Sequence, residues 1–242
     1  MTNERTQLDL FSGIGGFAIA AQWNGVRTVG FCEREPYCKQ LLSDQWPSVP
    51  ICGDIREMDG KTFKGVWLVT GGFPCQPYST AGKRRGASDD RALWPEMLRV
   101  IEDARPAWVL GENVSGFVSL GLDRSLSDLE DIGYTCRPFA VPACAVGTLH
   151  ERERIWIVGH DSNAFSVRPQ GVRKAEERSW SREQLEGLLQ GILRVSVPAG
   201  RSGGVSHGVR NRQHRLKALG NAIVPQVAAE FIRFMIQSEE LQ

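Results

Sequence analysis

The sequence predicts an α/β protein with a mostly parallel sheet, and two observations lead to this prediction. In the first 160 residues, short apolar runs alternate with polar stretches of helical periodicity, as expected for strands covered by helices. Glycine-rich or acidic segments follow several of these apolar runs. Because ligands bind beyond the carboxyl ends of the strands in open α/β sheets, we expect the chemistry to lie in these segments.

The individual elements follow from the periodicity of the apolar residues. The predicted strands cover residues 7–11, 27–32, 66–70, 108–112, 134–141 and 155–159. The predicted helices cover residues 17–24, 36–45, 93–104 and 122–132, and a short helix is predicted at 182–193. A last helix is predicted near the C-terminus, where apolar residues recur at helical spacing: Val224, Val227, Ala228, Phe231, Ile232 and Met235. We expect it to pack back onto the core.

The composition is that of an ordinary globular protein, with 41% hydrophobic and 24% charged residues. This balance argues against disordered and fibrous classes. No run of about 18 apolar residues occurs, and the N-terminal sequence begins polar and leads straight into a strand-like segment. We therefore expect a cytoplasmic protein without a membrane partner.

Charge is distributed unevenly along the chain, although the net charge is only +1. Residues 163–217 contain 11 Lys and Arg against 4 Asp and Glu, whereas acidic residues are in excess over the rest of the chain. A basic, glycine-rich segment of this kind is suited to contacts with phosphates. A solvated loop is the alternative interpretation.

The first predicted loop, DLFSGIGGF, places Gly13 and Gly15 between a strand and a helix, so that a ligand can approach the backbone closely. It matches neither the G-x-G-x-x-G pattern nor the P-loop pattern. Glu33 lies 20 residues beyond Gly13, where a carboxylate can accept from ribose hydroxyls, and Asp54 is placed to accept from an adenine amino group. This combination fits S-adenosylmethionine, with a purely structural turn as the alternative.

The second loop, GGFPCQPYSTAGKRRG, carries Cys75 between two prolines. Lys83, Arg84 and Arg85 follow it and would lower the pKa of a nearby thiol or hold backbone phosphates. We predict that Cys75 is a nucleophile and that Leu93, just before the next helix, lines the cofactor cleft.

The six cysteines, which include no C-x-x-C pair, predict neither disulfides nor a zinc site. A buried structural thiol is the alternative for each of them: Cys32, Cys38, Cys52, Cys75, Cys136 and Cys144.

Two further loops carry polar groups. In LGENV, Glu112 and Asn113 end an apolar strand, and burial there would raise the pKa of the carboxyl group so that it could carry a proton near neutral pH. A capping role is the alternative. In HERERIWIVG, Arg152 and Arg154 alternate into a strand, so both guanidinium groups share one face and can address an anion or a polar ligand.

Together, seven motifs resemble the cytosine-5 DNA methyltransferase family in order and spacing over nearly all of residues 7–236, with a compact layout similar to phage or prophage members. They are DLFSGIGG, FCERE, GDI, GGFPCQPYS, ENV, RERIWIVG and ALGNAIVPQVA. The resemblance implies a Rossmann-like S-adenosylmethionine-dependent methyltransferase fold with a short basic target-recognition segment. It also implies three parts: a catalytic domain over residues 1–160, the recognition segment over 161–215 and a returning helix over 216–242.

The resemblance implies that Cys75 attacks carbon 6 of a flipped-out cytosine, and that Glu112 engages ring N3 and the exocyclic amine. Carbon 5 then accepts the methyl group and loses its proton. Arg154 would lie by the cytosine O2 and Arg152 would steady the nucleophile loop. The residues expected to line the cofactor are Phe11, Gly13, Gly15, Glu33, Asp54, Leu93 and Asn221. The residues expected to contact the substrate or its backbone are Gln76, Ser79, Lys83, Arg84, Arg85, Asn113, Arg210 and Arg212.

The resemblance further implies double-stranded DNA as the partner, a monomer, no metal, a bacterial or phage-infected host cell and a cognate restriction endonuclease. Two departures stand out. The sequence VPACAVGTLHERER replaces the Gly-Val-Pro-Gln-like stretch usual in the family, and the recognition region has only about 55 residues. Two alternatives remain: a cytosine-5 transfer RNA methyltransferase, and a non-catalytic DNA-binding decoy that keeps the fold.

Overall fold

A computed structural model describes residues 4–74, 93–142, 153–161 and 218–240. Within these ranges the chain forms a seven-stranded sheet in the order β3-β2-β1-β4-β5-β7-β6. The strands are β1 Thr6–Leu10, β2 Arg27–Cys32, β3 Ile51–Cys52, β4 Leu68–Gly71, β5 Trp108–Val114, β6 Tyr134–Pro142 and β7 Glu153–Asp161. β7 alone runs in the opposite direction to the other six strands, so the prediction of a mostly parallel sheet is confirmed.

The described helices cover the faces of this sheet. They are α1 Gly16–Trp23, α2 Pro36–Gln45, α3 Trp94–Ala104, α4 Asp123–Asp131 and α5 Pro225–Glu240. Shorter turns of 3₁₀-helix cover Ile55–Glu57, Gly60–Phe63 and Ser115–Phe117, and a π-helical turn covers Val118–Leu122. The six predicted strands and five of the predicted helices are confirmed. The bounds of β2 and α2 match the prediction and the ends of the others are shifted, whereas the helix predicted at 182–193 lies outside the described residues.

Helix boundaries follow from local chemistry. Pro36 occupies the first turn of α2, where a missing N–H leaves no helical hydrogen bond unmade. At the C-terminal end of α3, Arg105 adopts a left-handed conformation with φ 49° and Pro106 follows, so the helix cannot continue.

Both faces of the sheet are buried, which explains why its strands read as apolar runs rather than as alternating patterns. Leu8 and Leu10 on one face pack among side chains of α3 and α4. On the other face, Trp156 packs with Phe17 of α1 and Phe231 of α5.

Among the described residues, one stretch, Ala218–Glu240, is long and apolar enough to cross a membrane by length and composition alone. In this structure Phe231, Ile232 and Met235 are fully buried against α1 and the sheet. These contacts explain the apolar composition of the stretch, because its buried residues belong to the protein core. The helical spacing of its apolar residues predicted this packing.

The topology brings the chemistry-bearing loops to one edge of the sheet. Successive strands are added on one side of β1 up to β3, and the chain then returns to place β4 on the other side of β1. Such a reversal of strand order opens a crevice at the carboxyl ends of β1 and β4. The segments after β1, β2, β3, β4 and β5 all leave from this edge. Because β7 is antiparallel, its beginning lies at the same edge, where Arg154 pairs in register with Val114 at the end of β5.

Candidate active site

The glycine loop after β1 adopts a backbone that few residue types tolerate. Phe11, Gly13 and Gly15 have φ of 53°, 55° and 85°. Positive φ in a bulky residue such as Phe11 is uncommon and marks a strained position of the kind found at functional sites. Ser12 fixes the loop, since its hydroxyl donates to the Asp9 carbonyl at 2.7 Å and its N–H donates to the Cys32 carbonyl at 3.0 Å.

Glu33 ties the end of β2 to this loop. One carboxylate oxygen accepts from the Gly13 N–H at 2.7 Å, and the other accepts from the Glu35 N–H at 2.6 Å. The structure therefore brings together two residues that sequence reasoning assigned to one ligand. Each oxygen keeps a lone pair for a further donor such as a ribose hydroxyl.

Two large side chains that sequence reasoning missed pack against the glycines. A Cβ at Gly15 would approach Trp46 to 2.6 Å, and a Cβ at Gly16 would approach Ile223 to 2.8 Å. Close packing thus favours glycine at both positions, and the positive φ of Gly15 favours it there as well. The only signal in the sequence was the presence of glycine itself, which does not name the residue that packs against it.

Asp54 follows β3 and caps the 3₁₀ turn Ile55–Glu57. Its Oδ1 accepts from the Arg56 N–H at 3.0 Å, and its Oδ2 lies 3.4 Å from the Arg56 guanidinium. The end of β2 is adjacent, since the Glu33 N–H donates to the Cys52 carbonyl at 3.0 Å. The two acidic residues assigned to the cofactor therefore lie on neighbouring strand ends.

The chain that leads to Cys75 is anchored beside Glu112. After β4, Phe73 is buried against Trp94 and Phe117, with ring centroids 5.1 and 5.2 Å away. The Asn113 side chain donates to the Phe73 carbonyl at 3.2 Å. The described residues of this stretch end at Pro74, and β5, the strand that carries Glu112 and Asn113, holds the Phe73 carbonyl just before that point.

Glu112 and Arg154 form a buried ion pair at this edge. The Arg154 Nε lies 3.0 Å from the Glu112 Oε1, and their side chains are 19% and 10% exposed. The sequence predicts burial of the Glu112 carboxyl group but does not show its pairing with Arg154. The guanidinium stabilises the charged carboxylate and offsets part of the free energy needed to bury it, so a protonated Glu112 stays a prediction.

The segment before α5 reaches the same place. Ile223 lies beside Gly16 of the glycine loop and beside Gly72, the residue after β4. A Cβ at Gly72 would also lie 3.6 Å from the Glu112 Oε2. Asn221, two residues earlier, is exposed. The structure therefore brings the Gly-Asn-Ala segment to the glycine loop, although within the part of the chain that the structure describes no hydrogen bond of the Asn221 side chain is seen.

A ladder of buried polar side chains runs across the sheet below the glycine loop. The Thr28 hydroxyl donates to Gln7 at 2.9 Å, Gln7 donates to the Thr70 hydroxyl at 2.8 Å, and Thr70 donates to the Asp9 Oδ1 at 2.8 Å. Burial raises the pKa of Asp9 from 3.8 to about 8, opposed by the Thr70 hydrogen bond. Burial therefore favours the protonated form of Asp9 near neutral pH.

The structure describes four cysteines, all of them free thiols: Cys32, Cys38, Cys52 and Cys136. Burial raises the pKa of Cys136 to about 12, and burial and the neighbouring Cys52 raise that of Cys32. Neither thiol is poised as a nucleophile. Among the residues that the structure describes, no group of three or more His, Cys, Asp or Glu side chains is arranged to hold a metal.

Several predicted site residues lie outside the described ranges, and their roles stay predictions. They are Cys75, Gln76, Ser79, Lys83, Arg84, Arg85, Arg152, Arg210 and Arg212. Leu93 is described, and it packs partly buried in the same core cluster as Phe11 and Phe73.

Comparison with solved structures defines the fold class. The Entamoeba histolytica methyltransferase EhMeth superposes with a TM-score of 0.68 at 12% identity, covering 100% of both chains. The fold is the Rossmann-like fold of S-adenosylmethionine-dependent methyltransferases, with the sheet order described above.

Comparison with protein families is more specific. The sequence of residues 6–198 matches the family model of the C-5 cytosine-specific DNA methylases, and the chain belongs to this family. Its relatives include the Type II methyltransferase M2.BsuMI of Bacillus subtilis, 35% identical over 61% of this chain and 40% of the relative. Another is the Type II methyltransferase M1.ScrFI of Lactococcus lactis, 33% identical over 68% of this chain and 44% of the relative. The chain therefore spans about two fifths of the length of these curated relatives.

Proposed function

We propose that the protein is a DNA (cytosine-5)-methyltransferase that methylates carbon 5 of a flipped-out cytosine in a specific DNA sequence. One observation supports this most strongly. The Glu112–Arg154 ion pair, with a separation of 3.0 Å, lies next to Asn113, whose side chain holds the carbonyl two residues before Cys75. We infer that Cys75, which directly follows Pro74 in the sequence, would bring a nucleophile to the carboxylate and the guanidinium at this edge of the sheet.

In the proposed reaction, the Cys75 thiolate bonds to carbon 6 of the cytosine ring, and the electron pair of the carbon 5–carbon 6 double bond shifts so that carbon 5 becomes nucleophilic. In its protonated form, Glu112 donates a hydrogen bond to ring N3 and accepts one from the exocyclic amine, which stabilises the charge that develops on the ring. Arg154 binds the cytosine O2. Once carbon 5 carries the methyl group, solvent water takes its remaining proton. The electron pair of that carbon–hydrogen bond re-forms the carbon 5–carbon 6 double bond, and the Cys75 sulfur leaves as a thiolate.

S-adenosylmethionine would supply an electrophilic methyl group on its sulfonium. The described residues fit its adenosine part: the left-handed glycine loop leaves room for a ligand at Gly13, where a Cβ would meet nothing within 4 Å. Glu33 would accept from the ribose hydroxyls and Asp54 from the adenine amine. Phe11, Gly15, Leu93 and Asn221 would complete the site. The mechanism assigns no role to a metal.

We also propose that double-stranded DNA is the substrate that the protein binds. Double-stranded DNA would lie across the edge that carries Glu112 and Arg154, with backbone phosphates held by the basic residues 83–85 and by the basic segment 163–217. We propose that the protein acts as a monomer in the cytoplasm, alongside a cognate restriction endonuclease.

The experiment incubates the protein with S-adenosylmethionine labelled on its methyl group and with either duplex DNA or transfer RNA. We expect label in DNA from the native protein, none from Cys75→Ser, and label from the control Cys136→Ser, whose half-buried thiol lies on β6. Label in transfer RNA alone would favour the RNA methyltransferase alternative. Binding of DNA without transfer of label would favour the non-catalytic alternative.

A further inference from the structure

Arg99 on α3 connects that helix to the turn that follows β3. Its Nη2 donates to the Ile55 carbonyl at 2.7 Å, and its Nη1 donates to the Met58 carbonyl at 2.9 Å. The Nε donates to Glu96 at 2.9 Å, which fixes the plane of the guanidinium. Both carbonyls are more than 40 residues away in sequence, so these contacts are tertiary.

The turn needs such an anchor because the strand before it is weak. The β3 strand has only two residues and is the outermost strand on its side of the sheet, so it pairs with β2 alone. Beyond it, the Glu57 N–H donates to the Asp54 carbonyl at 3.0 Å, and the Met58 N–H donates to the Ile55 carbonyl at 3.2 Å. These bonds form the turn internally but do not attach it to the rest of the protein.

Close packing completes the attachment. Ile55 and Met58 are 2% and 5% exposed and belong to the core cluster that contains the buried face of α3. A Cβ at Gly60 would approach the Val100 carbonyl of α3 to 2.9 Å. The turn is therefore seated on α3, and the two hydrogen bonds from Arg99 set its orientation on that surface.

Asp54 takes its orientation from the same turn. Its carboxylate accepts from the Arg56 N–H, which lies inside the turn between the two carbonyls that Arg99 holds. We propose that Arg99 is a positioning residue for the adenosine end of the cofactor site, acting through the turn that carries Asp54; this rests on the proposed function. Arg99 itself does not touch the cofactor.

The test measures binding of S-adenosylhomocysteine to the full-length protein by calorimetry. Arg99→Met keeps an unbranched stem and removes all donors, and we expect about tenfold weaker binding. Arg99→Lys retains a single donor nitrogen in place of three and should fall between this variant and the native protein. The matched control is Arg124→Met, which breaks an exposed helix-surface pair with Asp128, 3.7 Å apart, and should bind within about twofold of native. In turnover, the KM for the cofactor should rise while kcat stays near native.

A double-mutant cycle separates positioning from general loosening of the fold. In an Asp54→Ala background, Arg99→Met should weaken binding far less than it does in the native background, because both changes act on one contact. Equal effects in the two backgrounds would overturn the inference, as would native-like binding by Arg99→Met. If Arg99→Met does not fold, Arg99→Lys in the same cycle decides between these outcomes. Failure of the native protein to bind S-adenosylhomocysteine would instead contradict the proposed function.

Discussion

The buried carboxyl group of Asp9 predicts an unusual dependence of stability on pH. Asp9 is fully buried in β1, and among the described residues its Oδ2 has no hydrogen-bond partner. Burial raises its pKa from 3.8 to about 8, the Thr70 hydroxyl opposes this, and the charge of Glu33 adds to it. Between these two pH values the unfolded chain has lost the proton while the folded protein keeps it. Stability from this group is therefore fully present below about pH 4 and is lost as pH rises towards about 8.

The magnitude follows from the size of the shift. About four pKa units correspond to about 5 kcal/mol, spread over the interval at up to about 1.4 kcal/mol for each pH unit. Asp9→Asn cannot ionise, so its free energy of unfolding relative to the native protein should increase by several kcal/mol between about pH 5 and about pH 8. Any cost of burying the amide is the same at each pH and leaves this slope unchanged.

Urea unfolding of the native protein and Asp9→Asn at several pH values measures the difference directly. Groups other than Asp9 contribute equally to both proteins and cancel. Asp59→Asn is the control, since this exposed carboxylate caps a 3₁₀ turn at the Lys61 N–H. A difference between native and Asp9→Asn that stays constant with pH would refute the reasoning.

Two further predictions concern the attachment of α5 and the packing of the glycine loop. The indole N–H groups of Trp67 and Trp108 both donate to the Glu239 Oε1, at 2.6 and 2.9 Å. Glu239→Ala should therefore lower the free energy of unfolding by about 2–3 kcal/mol in urea titrations and Glu239→Gln by less, because the amide oxygen still accepts; equal losses would contradict this account. Gly15→Ala would place a Cβ 2.6 Å from Trp46 at a φ of 85°, so calorimetry should show at least tenfold weaker S-adenosylhomocysteine binding. Binding at the native level would show that the loop tolerates the strain.

Much of the fold could be predicted because its strands are buried on both faces and its helices are amphipathic. The exception is β3, whose two residues are too few to show a period and are held by a neighbouring strand that sequence alone does not identify. The direction of β7 was equally hidden. That direction places Arg154 beside Glu112, although the two residues are 42 positions apart in the chain.

The residues of the candidate site that lie in sequence motifs could be predicted. The residues whose role depends on packing between distant segments could not. Gly13 and Glu33 were assigned to one ligand from spacing, and the structure places them in contact. Trp46, Ile223 and Arg99 carried no local signal, because their role depends on which backbone they meet after folding. A side chain that supports a turn from another element is visible only once the elements are packed.

The central claim is that Cys75 forms a covalent bond to cytosine while Glu112 and Arg154 hold the ring. Duplex DNA that carries 5-fluorocytosine tests this most directly, since fluorine at carbon 5 blocks the proton loss that would release the enzyme. With S-adenosylmethionine present, the native protein should form an adduct stable to denaturation, and peptide mapping should place it on Cys75. Absence of any adduct over a broad set of duplex sequences, or an adduct that persists in Cys75→Ser, would contradict the account.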